Sequence, residues 1–137
     1  YHEFVGAMLR AANEEAWCVL ICDRRALWKY GLGRVKPFAL SLRADLASGY
    51  LKRGRTISEL AERLGIPPAA AEESVAAYNE AASAGADPEF GRGRDIYQRH
   101  LGDADRAPNP CVAPLDAPRF YGMLLHPADL GTATGLD

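Results

Sequence analysis

Apolar and polar positions along the chain change period several times, and each change predicts an element. In "HEFVGAMLRAANEEA" the apolar residues Phe4, Val5, Met8, Leu9 and Ala12 recur at helical spacing with polar residues on the other face, which predicts an amphipathic first helix. The run "AWCVLICDRR" is apolar up to Asp23, too short for a full helix, and reads as a buried strand. "RALWKYG" then gives a helical turn or two ended by Gly31. Between Gly31 and Gly54, glycine, proline and basic residues mix with aromatic ones, the pattern of a loop, with a short helix near "LRADLASG".

The middle of the chain is more explicit. Thr56 followed by Glu59 in "TISELAERLG" is a capping box, in which the hydroxyl accepts from the third backbone N–H and the carboxylate reaches back. Ile57, Leu60, Ala61 and Leu64 fall on one face, and Gly65 stands where the helix should end. "IPPAAAEESVAAYNEAASAG" restarts a helix with Pro68 near its first position, turns Val75 and Tyr78 inward and ends at Gly85, which completes a helical hairpin. From Asp87 to Pro118 the chain is dense in Gly, Pro, Asp and Arg, interrupted only by "DIYQRHLGD", a short helix. An ordered stretch of that length is usually functional or packed on a neighbour. Phe120 to Leu125 reads as a second buried strand, followed by a loop of Gly, Thr and Asp. The expected fold is α+β, a helical hairpin packed on a small sheet.

Composition narrows the function classes. A chain of 137 residues fits one domain, and one that opens on Tyr1 rather than Met reads as a piece of a longer protein. With 16 Lys and Arg against 18 Asp and Glu the formal charge is -2, which gives no electrostatic footprint for nucleic acid or an anionic membrane surface, so neither partner is implied. The longest apolar run, Ala16 to Cys22, is far below the roughly 20 residues of a membrane span, and no targeting segment is recognisable. Cys18, Cys22 and Cys111 match neither a disulfide framework nor a zinc pattern, so they read as reduced packing residues of a cytoplasmic protein.

The candidate motifs are incomplete. "GRGRDI" has a Gly-x-Gly, but Ile96 stands where a dinucleotide fingerprint needs its third glycine, and the flanking strand and helix are missing; an ordered turn is the better reading. His2, His100 and His126 lack metal spacing, no Ser or Cys nucleophile sits in a recognisable elbow, and Glu72, Glu73 and "ANEE" fit solvated helix faces. No metal site is expected, and these residues alone specify no complete active site.

Taken together, "TISELAERLGIPPAAAEESVAAYNEAASAGADPEFGRG" and "APRFYGMLLHPADLGTATGL" resemble the substrate-side (capping) domain of the FAD-dependent family that includes fumarate reductases, succinate dehydrogenase flavoproteins and 3-ketosteroid Δ1-dehydrogenases. The order in that family is a capped helix, a helix with a Tyr-Asn pair, a phrase like "DPEFGRG" and a strand beginning "FY". The resemblance implies that residues 1–137 are one capping domain inserted between two halves of an FAD-binding domain of the same polypeptide. FAD would then be bound by that missing domain and not by this fragment, which alone would be inactive.

Departures from the family pattern indicate a branch. Where the dicarboxylate reductases carry a His-His-Thr phrase, this chain has Leu130, Gly131 and Thr132, and near the place of their proton-donating arginine it has Tyr1. "YHEFVGAML" and "PADLGTATG" are similar to the ketosteroid branch, Ala128 replacing a glycine. The resemblance therefore implies dehydrogenation of an apolar cyclic ketone next to its carbonyl, with Tyr1 as the catalytic proton-removing group and Leu130, Gly131 and Thr132 along the substrate. A tyrosine needs its pKa of about 10 lowered by neighbours before it can act this way. Two other readings are a fumarate reductase-like flavoprotein domain and a non-enzymatic α+β module binding a partner through residues 87–118.

Overall fold

The computed structural model describes residues 17–126; the predicted first helix, in 1–16, and the segment 127–137 lie outside the described residues. The elements are β1 (Cys18–Asp23), α1 (Arg24–Tyr30), α2 (Arg43–Ala47), β2 (Lys52–Gly54), α3 (Ile57–Leu64), α4 (Pro68–Ser83), α5 (Ile96–Leu101) and β3 (Phe120–Leu125). The three strands form an antiparallel sheet of order β1-β3-β2, so the last strand lies in the middle. This is the α+β arrangement of a helical hairpin on a small sheet.

Opposite residues of an antiparallel pair share a face, and the two faces have different covers. Tyr121 lies opposite Cys22 and packs with Leu27, Val35 and Leu51 under the α1–α2 region. Phe120 and Ile21 belong to the other face and pack against Ile57, Ala61, Ala71 and Val75 of the α3–α4 hairpin. Gly122, opposite Ile21, permits that close approach: a Cβ there would lie 2.8 Å from Leu64 Cδ1. The core is thus two apolar layers separated by one sheet.

Local chemistry explains the helix limits. Asp23 ends β1 and caps α1, its Oδ1 accepting from the Ala26 N–H at 2.7 Å, and Gly31 ends that helix at φ +74°. Thr56 Oγ1 accepts from the Glu59 N–H at 3.1 Å, and Gly65 closes α3 in the left-handed conformation. The returning Glu59 carboxylate bonds the Arg55 N–H at 2.7 Å, one residue before the cap. Strand β2 was not expected from its polar sequence. It forms because β3 offers a second open edge and because Gly54 lets the chain pass under α3, where a Cβ would stand 2.5 Å from Leu60 N.

The connection 84–119 has little regular structure and is fixed by its own side chains. Asn109, 7% exposed, donates through Nδ2 to the carbonyls of Gly85 and Arg92, both at 2.9 Å, and accepts from the Cys111 N–H at 3.0 Å. Asn79 Nδ2 donates to Leu115 O at 3.1 Å while its Oδ1 accepts from Leu115 N–H at 2.7 Å, and Tyr78 Oη donates to Ala113 O at 3.1 Å. The Tyr-Asn pair of α4 therefore clamps the segment leading back to β3. Among the described residues no helix is long and apolar enough to cross a membrane.

Candidate functional site

Tyr1, Leu130, Gly131 and Thr132 all lie outside the described residues. The two segments that carry them join the described body at Trp17 and His126. Those positions are neighbours, because Cys18 pairs with Leu125 at one end of the sheet.

A cleft of about 740 Å³ lies along the other half of β1, between Ile21–Asp23 with α1 on one side and α5 with residues 102–115 on the other. Ile21, Ala26, Leu101, Pro110, Val112 and Leu115 make its walls apolar, and Tyr30, Tyr78, Tyr97, Arg92, Gln98 and Arg106 supply the polar groups. An apolar hollow with a few directed polar groups has the general make-up of a small-molecule site.

Most of those polar groups already have partners. Tyr30 Oη donates to Asp103, and Lys29 Nζ bonds both Asp103 oxygens at 2.8 Å and Asp105 at 2.9 Å. Lys29 first, then Tyr30, hold the Asp103 carboxyl down at about 2, while burial, followed by the bond to Asp103, raises the Tyr30 phenol. A carboxylate that acidic is a poor proton acceptor at neutral pH, so Tyr30 keeps its proton and is not set up as a base. Burial, with Asp23 second, pushes the Cys22 thiol up to about 12, which makes it inert rather than nucleophilic. No spacing along the chain announces the Tyr30 cluster, since Asp103 is 73 residues away and only the fold brings it near.

The "GRGRDI" turn is ordered and, against the expectation that no helix flanks it, leads directly into α5 through the Asp95 cap, but the Arg92 and Gly93 donors are spent. Asp87 Oδ2 accepts from the Arg92 N–H at 3.1 Å and from Arg92 Nε at 2.6 Å, and the Gly93 N–H goes to Gln98 Oε1 at 2.7 Å. Burial opposes the Asp87 charge, but Arg92 outweighs it and leaves the carboxyl below its ordinary pKa. A carboxylate occupying the amide groups that would cradle a pyrophosphate does not fit the FAD phosphates. Among the described residues no group of three or more His, Cys, Asp or Glu could hold a metal.

No protein-family model matches the chain. A 4-oxocyclohex-2-ene-1-carboxylate 5-dehydrogenase of Sinomonas cyclohexanicum is 38% identical over 138 residues, covering 99% of this chain and 23% of that protein. The crystal structure of a 3-ketosteroid Δ1-dehydrogenase from Sterolibacterium denitrificans, in complex with 1,4-androstadiene-3,17-dione, superposes with a TM-score of 0.83 at 33% identity, over 96% of this chain and 24% of that one. Over nearly its whole length the chain is similar to one segment of each of these two dehydrogenases. A flavocytochrome c3 fumarate reductase shares the fold at a TM-score of 0.58 and 20% identity, over 91% of this chain and 17% of that one. The chain thus spans less than a quarter of the length of the relatives it matches.

Proposed function

We propose that the chain is the substrate-side domain of an FAD-dependent dehydrogenase that introduces a double bond next to the carbonyl of a cyclic ketone. The observation that carries this reading is the 38% identity, sustained over 99% of the chain, to a dehydrogenase of a ring ketone. The pairing of Cys18 with Leu125 supports an inserted domain, because the chain enters and leaves the sheet side by side. In this reading FAD is held by the rest of the polypeptide, since the amide groups of the "GRGRDI" turn are already satisfied.

The reaction removes hydrogens from two adjacent carbons, the more acidic one being α to the ketone. Tyr1 is the proton-removing group at that carbon. Leu130, Gly131 and Thr132 line the substrate, Gly131 leaving space where dicarboxylate reductases of the resembling family place a carboxylate-binding histidine. Burying a dicarboxylate without such a partner costs several kcal/mol, about enough to abolish binding. The test is anaerobic titration of the full-length flavoprotein with a 3-keto steroid, 4-oxocyclohexanecarboxylate and succinate. A ring ketone should bleach the flavin and succinate should not. Tyr1→Phe should slow the bleaching by roughly 10²–10⁴-fold with the bound flavin retained. Bleaching by succinate alone would overturn the reading, and bleaching by Tyr1→Phe within a few-fold of the parent would remove Tyr1 from it.

A further inference from the structure

Residues 24–44 carry six basic side chains, Arg24, Arg25, Lys29, Arg34, Lys36 and Arg43, and no acidic one, although the whole chain has a net charge of -2. Arg25 is paired with Asp116, Lys29 with Asp103 and Asp105, and Arg34 with Asp45. Arg24, Lys36 and Arg43 are exposed and have no ion-pair partner among the described residues.

Three large apolar side chains project among these cations: Trp28 is 50% exposed, Phe38 59% and Leu40 97%. Two of them are built together. Trp28 and Phe38 meet edge to face with ring centres 5.6 Å apart, and the Phe38 N–H donates to Trp28 O at 2.9 Å. Arg24 and Trp28, one turn apart on α1, share a shallow hollow with Ala39 and Leu42. Phe38 has φ +57°, a left-handed conformation unfavourable for an aromatic residue. The backbone accepts that strain in order to hold a large ring towards water, an arrangement that points to a use.

We propose that this surface docks on an anionic lipid surface, with Leu40, Phe38 and Trp28 entering the boundary between headgroups and acyl chains and Arg24, Lys36 and Arg43 meeting lipid phosphates. Aromatic and leucine side chains ringed by Lys and Arg are the composition that lies in a membrane interface. The shape argues for lipid over a protein partner. A side chain as protruding as Leu40 needs a matching pocket in a protein, whereas lipid closes around it. Arg24, Lys36 and Arg43, which none of the neighbouring aspartates pairs among the described residues, complement a negative surface. Docking would also place the domain where an apolar ring ketone concentrates, a consequence that rests on the proposed reaction; the docking itself does not.

The test is co-sedimentation of the full-length protein with vesicles of mixed phosphatidylcholine and phosphatidylglycerol, and with phosphatidylcholine alone, at low and high salt. The protein should pellet with the mixed vesicles and be released by salt. Lys36→Glu should weaken the partitioning about fivefold or more, from the roughly 1 kcal/mol that each basic residue contributes near an anionic surface. Leu40→Asp should weaken it at least as much. Arg94→Glu, an equal charge change at an exposed residue outside the 24–44 segment, should pellet like the parent. Turnover of a water-soluble ring ketone should be unchanged in all three, a readout separate from the vesicle result. A full-length protein that stays in the supernatant, as it would if the rest of the polypeptide or a second copy covers this surface, overturns the proposal. So does a Lys36→Glu and Leu40→Asp pair that binds like the parent.

Discussion

Asn109 joins three parts of the 84–119 connection through one amide, and replacing it tests whether side-chain hydrogen bonds order that segment. Its Nδ2 serves two carbonyls and its Oδ1 one N–H, all at 2.9–3.0 Å, and it is 7% exposed. At a net value of about 1 kcal/mol per bond, Asn109→Ala forfeits about 3 kcal/mol. Water reaching the freed carbonyls would lower that figure, and burial of any left dry would raise it, so the expected loss is about 2–4 kcal/mol. Asn109→Asp keeps the shape but replaces the double donor with a charge facing the carbonyls of Gly85 and Arg92, and should cost at least as much as alanine. Equilibrium urea unfolding should show a lower midpoint at unchanged slope. An Asn109→Ala chain within about 0.5 kcal/mol of the parent, a change typical of neutral surface sites, would refute the reasoning. An aspartate milder than alanine would refute the amide's role as donor.

Two further outcomes follow from packing and charge, and one from thiol chemistry. Gly122→Ala places a Cβ 2.8 Å from Leu64 Cδ1 and 3.1 Å from Leu20 O, and should cost about 1–3 kcal/mol in the same unfolding assay. Asp103, held at about 2 against an ordinary 3.8, binds its proton less readily when folded, so its contribution to stability is present above pH 3.8 and lost as the pH falls towards 2. An acid-unfolding titration of Asp103→Asn should lack that part of the dependence. Cys22, pushed up to about 12, should resist iodoacetamide at pH 8 in the folded protein and react after unfolding, as mapped by mass spectrometry.

Elements whose cause is local were legible in the sequence. Asp23 and Gly31 bound α1, Thr56 and Gly65 bound α3, and Phe120–Leu125 is apolar enough to be read as a buried strand, though not as the central one. Elements whose cause is distant were not. Lys-Arg-Gly has no strand signal of its own, and β2 exists because β3 lies beside it. The Lys29–Tyr30–Asp103 cluster depends on a return of the chain that no spacing announces. A net charge of -2 likewise concealed the basic surface of residues 24–44, since every acidic residue lies elsewhere in the sequence. As for the candidate site, Tyr1, Leu130, Gly131 and Thr132 came from resemblance, and the described structure adds only that their segments attach side by side at the Cys18–Leu125 end of the sheet.

Which bond the protein changes is read from the identity of its product. The full-length flavoprotein is incubated with a saturated ring ketone and an electron acceptor, and the product is examined by mass spectrometry and NMR. The product should be two hydrogens lighter, with the new double bond between the carbons α and β to the carbonyl. A protein that leaves ring ketones unchanged but reduces fumarate to succinate would contradict it.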